Sequence, residues 1–261
     1  MLMNIVTLLF FVIGLAMGSF VNAWVWRTKE EKSVVKGRSM CPDCKHQLSA
    51  LDNIPVVSYL LLRGKCRYCN NTISIQYPLV EIITSLLFVA IYLYFAPTNM
   101  YMWFQVIAWC VATVLLVAAF VYDLRWMILP DKFTLPVIAI AMVLLALQAW
   151  QFGIASIYAQ LIATLVFAGL YIAIWVLSKG KLLGGGDIRL AVLMGLLLSV
   201  PQLLVGVFVA YVIGALVGVT LIAIKLKKRT DAVPLAPFLI FGLYFGLFFG
   251  NQISSWYLSM I

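Results

Sequence analysis

Long runs of apolar residues, broken by short polar segments, occupy almost the whole chain. The runs show no period-two alternation, and most approach the roughly 20 residues that an α-helix needs to cross a bilayer. They predict eight membrane helices, at 3–26, 79–95, 102–122, 133–150, 156–178, 188–200, 202–224 and 235–257. The run 188–200 is the shortest, since Asp187 and Pro201 bracket only 13 residues, and whether it spans the bilayer fully stays open.

The composition requires that lipid, and not a protein core, covers most of these residues. Of the 261 residues, 65% are hydrophobic and 10% are charged, and the mean hydropathy is +1.08. Soluble domains have about 45–50% apolar and about 25% charged residues. A transmembrane barrel is excluded because its strands would alternate apolar and polar positions. The sequence therefore predicts an all-α polytopic membrane protein. Its first helix lacks the basic start and the cleavage site of a signal peptide, so it is predicted to be retained.

The basic residues fall on one side of the predicted helices. Nine of the 18 lysines and arginines lie in the loop 27–78, and the other nine lie at three later turns. The intervening turns 96–102, 150–156 and 199–202 carry no charge, and neither do the two ends of the chain. Because loops rich in lysine and arginine remain in the cytoplasm, this pattern predicts a cytoplasmic 27–78 loop and, with eight spans, both termini outside. Contact with anionic membrane lipids explains the net charge of +9, so no nucleic-acid partner is expected.

Four of the five cysteines form two Cys-x-x-Cys pairs in the 27–78 loop, with 21 residues between the pairs. This spacing is typical of a four-thiolate zinc ribbon, and in a reducing cytoplasm two disulfides are the weaker alternative. Such a site has no open coordination position, so the zinc is predicted to be structural. The predicted ligands are Cys41, Cys44, Cys66 and Cys69. His46 beside them is predicted to be solvated, and Cys110 lies mid-span, where packing is its simplest role.

Three of the five acidic residues outside that loop have simple structural explanations. Glu81 is predicted to lie in the first turn of the second span, where an acid complements the helix dipole. Asp131 is predicted to be the N-cap of the fourth span, and Asp231 lies in a basic turn and is predicted to be solvated. An ionisable group at a membrane helix without such an explanation is a candidate functional residue.

Asp123 and Asp187 are those candidates. Asp123 ends a helix, where its charge opposes the dipole, and Asp187 follows the glycines 184–186. The charge pattern places both acids near the cytoplasmic face, so they are expected to meet. Two carboxylates that share a site divide their roles, one protonated and one ionised, which is the arrangement of aspartic proteases. Gly184, Gly185 and Gly186 are predicted to let the backbone approach a substrate strand, although an N-cap role for Asp187 stays open.

Five blocks carry a resemblance over nearly the whole chain. They are GSFVNAWVWR at 18–27, the cysteine block at 38–81, YDLRWMILPD at 122–131, LGGGDIRL at 183–190 and PLAPFLIFG at 234–242. Together they resemble the bacterial type IV prepilin peptidases, also called leader peptidase/N-methyltransferases, which are GxGD-type membrane aspartic proteases. One departure is Arg189, where the family usually has lysine.

The resemblance implies an inner-membrane enzyme in which Asp123 and Asp187 are the catalytic aspartates and the cysteine block binds zinc in the cytoplasm. Its implied substrates are prepilins or pseudopilins of type IV pilus, type II secretion and competence systems, cut at the cytoplasmic membrane edge. It also implies methylation of the new N-terminus with S-adenosylmethionine. No strand followed by G-x-G-x-x-G precedes a helix, so no residue is named for the methyl donor.

The predicted organisation has three parts: a first membrane helix at 1–26, a cytoplasmic four-cysteine domain at 27–78 and a membrane protease domain of about seven helices at 79–261. Two alternative functions stay open. A GxGD protease of other substrates would cut inside the bilayer, but it has no evident use for the cysteine loop. An ion or proton carrier would use intramembrane acids, but no internal repeat supports it. The oligomeric state is not predicted.

Overall fold

The structure, a computed structural model, describes residues 2–34, 37–228, 231 and 233–260. Within these residues the chain is helical, and the one departure from helix and loop is a pair of isolated antiparallel bridges, Met40 with Gln47 and Lys65 with Thr72. The α-helices are α1 (Leu2–Lys29), α2 (Val57–Leu61), α3 (Gln76–Phe95), α4 (Met100–Trp126), α5 (Asp131–Phe152), α6 (Tyr158–Leu177), α7 (Gly185–Leu197), α8 (Val200–Ala223) and α9 (Ala236–Leu258).

The predicted all-α membrane fold is confirmed, with one difference among the spans. Seven helices of the described residues are long and apolar enough to cross a bilayer: α1, α3, α4, α5, α6, α8 and α9. The predicted sixth span corresponds to α7, whose 13 residues rise only about 20 Å, against a hydrocarbon core of about 30 Å. Two of the basic residues behind the predicted orientation, Lys36 and Arg229, lie outside the described residues.

The contacts divide the chain into two compact units, Met1–Ala118 and Ala119–Ile261, so that α4 contributes to both. In the first unit α1 and α3 pack against each other in antiparallel directions. A β-carbon on Gly14 would come within 2.5 Å of Ser85 Cα, and one on Gly18 within 2.6 Å of Glu81 Cα. Small residues four positions apart permit this close approach of two membrane helices. The side-chain amide of Asn22 extends the contact by donating to the carbonyl of Tyr77.

The second unit holds the short helix α7 against α5 and α6. Gly195 of α7 leaves no room for a β-carbon beside Thr164 of α6, and the side-chain amide of Gln160 donates to the carbonyl of Leu196 at 2.7 Å. These contacts explain how α7 is held without the length of a full span. The first turn of α7 carries Asp187, so its packing positions one of the candidate acids.

Helices α8 and α9 form a second close pair in the same unit. Gly206 of α8 and Gly242 of α9 lie against each other with no space for side chains, and Gly246 and Gly250 lie against the backbone of Gln202. The helix α9 begins at Ala236, and its packing against α8 holds this first turn in place.

Candidate active site

Asp123 lies on the last turn of α4 and is almost fully buried, with 5% of its surface exposed. Its carboxylate accepts a hydrogen bond from the backbone N–H of Ala236, the first residue of α9. Its second oxygen, Oδ2, is buried without a hydrogen-bond partner among the described residues. A helix C-terminus disfavours a negative charge, so this position suits a protonated carboxyl group.

Asp187 lies in the first turn of α7 and is half-buried. The N-cap of this helix is Gly184, and the Asp187 carboxylate reaches back to accept a hydrogen bond from the Gly184 N–H at 3.1 Å. The alternative that Asp187 is itself the N-cap is therefore wrong, although its carboxylate does satisfy one backbone donor of the helix start. A helix N-terminus favours a negative charge.

Both acids lie in the second unit, at the end of α4 and the start of α7. The charge of Asp187 acts on Asp123 directly, so the two carboxylates share one electrostatic environment. One acid lies at the unfavourable end of a helix dipole and the other at the favourable end, so the dipoles favour the proton on Asp123 and the charge on Asp187. Such a pair can activate a water molecule and protonate a carbonyl oxygen at the same time.

The segment between α4 and α5 connects the end of α4, which carries Asp123, to the first turn of α7, which carries Asp187. Leu129 of this segment packs against Gly186, and its carbonyl accepts a hydrogen bond from Arg189 at 3.5 Å. Arg189 also forms an ion pair with Asp131. The prediction that Asp131 is an N-cap is wrong: the N-cap of α5 is Pro130, and Asp131 is the first helical residue, paired with α7. Arg189 makes the two contacts with two different nitrogens of its planar guanidinium, whereas a lysine would have to make both from a single nitrogen.

The three glycines of the motif have different surroundings. A β-carbon on Gly184 would lie 3.3 Å from the Asp187 carboxylate, and one on Gly186 would lie 2.7 Å from Leu129 Cβ. A β-carbon on Gly185 would meet no atom within 4 Å. Open space for an approaching backbone is therefore a property of Gly185, whereas Gly186 is required by the packing of the protein itself.

The four predicted zinc ligands also come together. Their sulfur atoms all lie within 4.8 Å of one another, and Cys41 Sγ is 4.0 Å from Cys69 Sγ. Four sulfurs at about 2.3 Å from one zinc ion are about 3.8 Å apart in a tetrahedron, so the cluster is close to that geometry. The two pairs have the same backbone conformation: Cys41 and Cys66 each donate to a carbonyl five residues later and accept from an N–H four residues later.

The electrostatics of the cluster favour a thiolate at Cys66, whereas burial and the neighbouring thiols raise the pKa of Cys41. Burial raises the pKa of the Cys66 thiol, but hydrogen bonds from the backbone N–H groups of Tyr68 and Cys69 outweigh it and lower the pKa to about 7. Zinc binds thiolates, so this thiol is prepared for coordination. His46 lies at the surface and stacks on Tyr68 with ring centroids 3.7 Å apart, and Cys110 is buried within α4, away from the cluster in sequence and structure.

Two family models match the chain. The bacterial peptidase A24 N-terminal domain matches residues 12–95, and the type IV leader peptidase family matches residues 110–219. The prepilin leader peptidase/N-methyltransferase of Aeromonas hydrophila is 34% identical over 85% of this chain and 75% of its own length. The enzyme of the same name from Bacillus subtilis (strain 168) is 30% identical over 96% of this chain and 97% of its own length.

The chain belongs to the type IV leader peptidase family. A third relative in this family, the Neisseria gonorrhoeae protein of the same name, is 30% identical over 80% of each chain. A comparison with solved structures found no match. The family match covers Asp123, Asp187 and the glycines between its ends, and the N-terminal match covers the cysteine cluster.

The N-terminal half of the protein has two further polar contacts that the sequence did not reveal. The first is centred on Asp52, whose carboxylate accepts hydrogen bonds from Ser49 and Tyr68 and forms an ion pair with Arg67 at 2.8 Å. Tyr68 and Arg67 lie between the second pair of cysteines. Asp52 therefore ties the middle of the loop to one half of the zinc-binding cluster.

The second contact corrects the prediction for Glu81. This residue is the sixth of α3, not part of its first turn, and only 7% of its surface is exposed. Its carboxylate accepts hydrogen bonds from the Val56 N–H at 2.7 Å and from the Ser19 hydroxyl. Val56 has φ of 61°, a conformation that β-branched residues rarely adopt. Glu81 thus anchors the loop to the helix pair, and the GSF segment at 18–20 supplies the close contact and one of the donors.

Proposed function

We propose that this protein is a membrane aspartic endopeptidase that removes the leader peptide from type IV prepilins or pseudopilins. The observation that carries the proposal is the packing of Leu129 against Gly186, which holds the end of α4, with Asp123, near the start of α7, with Asp187. The name shared by its relatives, prepilin leader peptidase/N-methyltransferase, supports this substrate class and adds methylation of the new N-terminus as a second activity.

The proposed hydrolysis uses the division of roles within the pair. Ionised Asp187 takes a proton from a water molecule, whose oxygen attacks the scissile carbonyl carbon, while protonated Asp123 gives its proton to the carbonyl oxygen. The tetrahedral intermediate collapses as Asp123 takes that proton back and the C–N bond breaks. The proton held by Asp187 passes to the leaving amine, which restores the starting state of both acids. The Ala236 N–H holds Asp123 in place throughout.

The dyad is tested by changing each acid to the matching amide. Asp123→Asn and Asp187→Asn should each reduce cleavage of a prepilin at least 1000-fold, because neither amide can exchange the required proton. Asp231→Asn is the matched control, since Asp231 is exposed and its carboxylate accepts a hydrogen bond from the Lys228 N–H, in a turn far along the chain from both acids. The mass of the intact substrate and products measures cleavage. An inserted, folded Asp187→Asn protein that cleaves at the wild-type rate would contradict the proposal.

The methyl group is proposed to come from S-adenosylmethionine, on the strength of the relatives' name. The described residues contain no strand that leads through a glycine-rich loop into a helix, the arrangement that binds adenine dinucleotides in soluble folds. We therefore assign no residue to the donor. A gain of about 14 Da on the cleaved pilin, only when the donor is added, is the expected result of the methylation assay.

Zinc is proposed to bind Cys41, Cys44, Cys66 and Cys69 and to stabilise the fold of the loop. A four-thiolate site has no place for a substrate, so a direct role in hydrolysis is not expected. The reduced wild-type protein should contain one zinc per chain. Cys66→Ser should lose it and Cys110→Ser should retain it, because Cys110 is buried in α4. A zinc content near zero in freshly purified, reduced wild-type protein would contradict the site.

The proposed orientation counts α7 as a crossing in addition to the seven longer spans. It therefore places the dyad and the zinc loop in the cytoplasm and both termini outside the inner membrane, with 1–26, 27–78 and 79–261 as the three functional parts. The lysines and arginines of the 27–78 loop and of the three later basic turns support this orientation. Single cysteines at Leu124 and Ile188, next to the acids, test it with a membrane-impermeant thiol reagent and with Cys110 replaced. Labelling in inside-out vesicles is expected. Labelling from the outer side alone would reverse the orientation.

A further inference from the structure

Several large apolar side chains are exposed together in one short segment of the loop between α1 and α3. In the described residues from 30 to 50, the same loop exposes no large apolar side chain. The exposed apolar side chains are therefore concentrated at one place, which marks a contact surface and not a random scatter. This apolar surface consists of Leu51, Ile54, Val57, Leu60 and Leu61.

The short helix α2 presents its part of the apolar surface on one face. Val57, Leu60 and Leu61 are at positions i, i+3 and i+4, which are neighbours on the same side of a helix. Ser58 and Tyr59 between them are half-buried. An apolar face that the protein itself leaves exposed, on a helix next to membrane spans, is typical of a helix that lies in the membrane interface.

The hydrogen bond to Glu81 fixes the level of α2 along α3. The Glu81 carboxylate accepts a hydrogen bond from the N–H of Val56, the residue directly before α2, at 2.7 Å. Glu81 lies five residues, or about 7.5 Å, from the first residue of α3, whose 20 residues rise about 30 Å, the thickness of the hydrocarbon core. The helix α2 therefore begins beside the first turns of a candidate span, at the level where the core of the bilayer meets the headgroups.

Exposed side chains of α1 and α3 continue the apolar surface at this level. Phe20 of α1, and Leu79 and Ile82 of α3, are exposed and lie within two residues of the contact between Ser19 and Glu81. Exposed apolar side chains on membrane spans contact lipid tails. The apolar surface of the loop thus continues a lipid-facing surface of the two spans.

Exposed positive charges follow α2 directly. Arg63 and Lys65 are exposed, and neither forms an ion pair among the residues that the structure describes. The charge of the next cation, Arg67, is balanced by Asp52 at 2.8 Å. Two uncompensated cations beside an apolar surface complement the anionic headgroups of a lipid leaflet.

We propose that the apolar surface and its two cations dock α2 into the cytoplasmic leaflet of an anionic bilayer. Leu60 and Leu61 reach the acyl chains, while Arg63 and Lys65 contact lipid phosphates. Because Cys66 follows Lys65 directly, docking holds the second pair of cysteines at the membrane surface. The proposal goes beyond the proposed function, since it needs neither the dyad nor cleavage of a prepilin, and the choice of leaflet follows from the proposed orientation.

A photo-crosslinker identifies what touches the apolar surface. Benzoyl-phenylalanine replaces Leu60 in the whole chain, which is held in nanodiscs of phosphatidylethanolamine and phosphatidylglycerol. In the matched control it replaces Asp43, which is also exposed but lies between the first two cysteines, outside the apolar surface. Both proteins should keep the wild-type melting temperature, because both positions are exposed. Mass spectrometry of the irradiated proteins measures the adducts.

The lipid adduct at position 60 should exceed the lipid adduct at position 43 at least fivefold. Equal yields at the two positions, or no lipid adduct at position 60, would overturn the proposal. The irradiation is repeated with a prepilin present. A prepilin adduct that replaces the lipid adduct at position 60 would make the apolar surface a protein-binding site and would also overturn lipid docking.

The role of the cations is tested by removing either side of the contact. Arg63→Gln with Lys65→Gln should lower the lipid adduct at position 60 several-fold, and so should phosphatidylcholine in place of phosphatidylglycerol. Lys179→Gln with Lys181→Gln is the matched control, because it removes two exposed charges from another basic turn, and the yield should not change. Equal losses in the two double variants, or a yield that does not depend on phosphatidylglycerol, would overturn the contact with headgroups.

Trypsin gives a second measurement that needs no crosslinker. In nanodiscs with phosphatidylglycerol, docking should protect the peptide bonds after Arg63 and Lys65. Leu60→Asp should be cut there at least fivefold faster than wild type, whereas Asn70→Asp, which adds the same charge at an exposed position outside the apolar surface, should change the rate less than twofold. Equally fast cutting of both variants, or a wild-type rate in Leu60→Asp, would overturn the docking of α2.

Discussion

Gly186 lies so close to Leu129 that no side chain fits between them: a β-carbon on Gly186 would come within 2.7 Å of Leu129 Cβ. Leu129 belongs to the segment that follows α4, and Gly186 belongs to the first turn of α7. The contact therefore joins the neighbourhoods of the two acids. It gives the last glycine of the motif a packing function that is separate from any contact with substrate.

Gly186→Ala should disturb this contact. Overpacking of this kind costs about 1–3 kcal/mol, and the shift needed to relieve it moves Asp187 relative to Asp123. We expect a lower melting temperature in detergent and a loss of cleavage of at least 10-fold. Wild-type stability and cleavage in this variant would contradict the packing role of Gly186.

Gly185→Ala separates substrate contact from protein packing. A β-carbon at Gly185 meets nothing within 4 Å, so the melting temperature should not fall. If the substrate backbone approaches this position, as proposed, KM for the prepilin should rise several-fold while the zinc content stays constant. An unchanged KM would remove Gly185 from the substrate-binding site and leave the Gly186 prediction intact.

The ion pair between Asp131 and Arg189 should position the dyad and contribute little to stability. Both side chains are partly exposed, and such pairs are worth about 0–1 kcal/mol. Asp131→Asn and Arg189→Lys should therefore lower kcat several-fold, by loosening the contact of α7 with Leu129, and leave the melting temperature within a few degrees. The exchanged pair, Asp131→Arg with Arg189→Asp, should recover part of the lost kcat. A loss of stability in proportion to the loss of kcat would indicate a purely structural pair.

The sequence revealed those features that depend on short-range patterns. Hydropathy over about 20 residues locates a span, and Cys-x-x-Cys spacing specifies a metal cluster, because both properties are local. The sequence also made Asp123 a candidate functional residue, since a charge at a membrane helix needs a reason that neither a cap nor a dipole gave for it. Because only 13 residues separate Asp187 from Pro201, the sequence already indicated that the predicted sixth span is short.

The errors have a common physical origin. The predictions for Glu81 and Asp131 assigned each acid to its own helix, but both side chains bind groups from distant parts of the chain, Val56 and Arg189. An argument from the capping or the dipole of a helix considers only the backbone of that helix. It cannot predict a hydrogen bond or ion pair with a residue from another part of the chain. The contact of α9 with Asp123 is likewise a product of tertiary packing, and no pattern in PLAPFLIFG shows that one of its N–H groups reaches Asp123.

Asp52 should stabilise the cysteine loop in a pH-dependent way. Burial raises the pKa of its carboxyl group, but hydrogen bonds from Ser49 and Arg67 outweigh this and lower the pKa from 3.8 to about 2. The stabilisation is therefore complete above pH about 4 and is lost as the pH falls toward about 2. Asp52→Asn should be cut in the loop several-fold faster than wild type by trypsin at pH 7. The two proteins should be cut equally by pepsin at pH 2, and a difference that persists there would contradict the role of this carboxylate.

Glu81 should hold the loop through the Val56 N–H. Glu81→Gln keeps an acceptor oxygen at this position, whereas Glu81→Ala leaves a partly buried donor and a strained Val56 without support. Hydrogen exchange of residues 54–62 measures the effect: we expect at least 10-fold faster exchange in Glu81→Ala and a small change in Glu81→Gln. Equally fast exchange in both variants would show that the charge, and not the acceptor, holds the loop.

The glycines of α9 recur at every fourth position, Gly242, Gly246 and Gly250, so this face of the helix looks nearly the same after each turn. A slip of one turn along α8, about 5.4 Å, would again bring glycine to the contact. Gln202 removes this ambiguity, because its side-chain amide donates to the carbonyl of Leu247 at 3.2 Å. Leu247 lies 11 residues, or about 17 Å, from Ala236. A hydrogen bond far from the dyad thus favours the helical register in which the Ala236 N–H reaches Asp123.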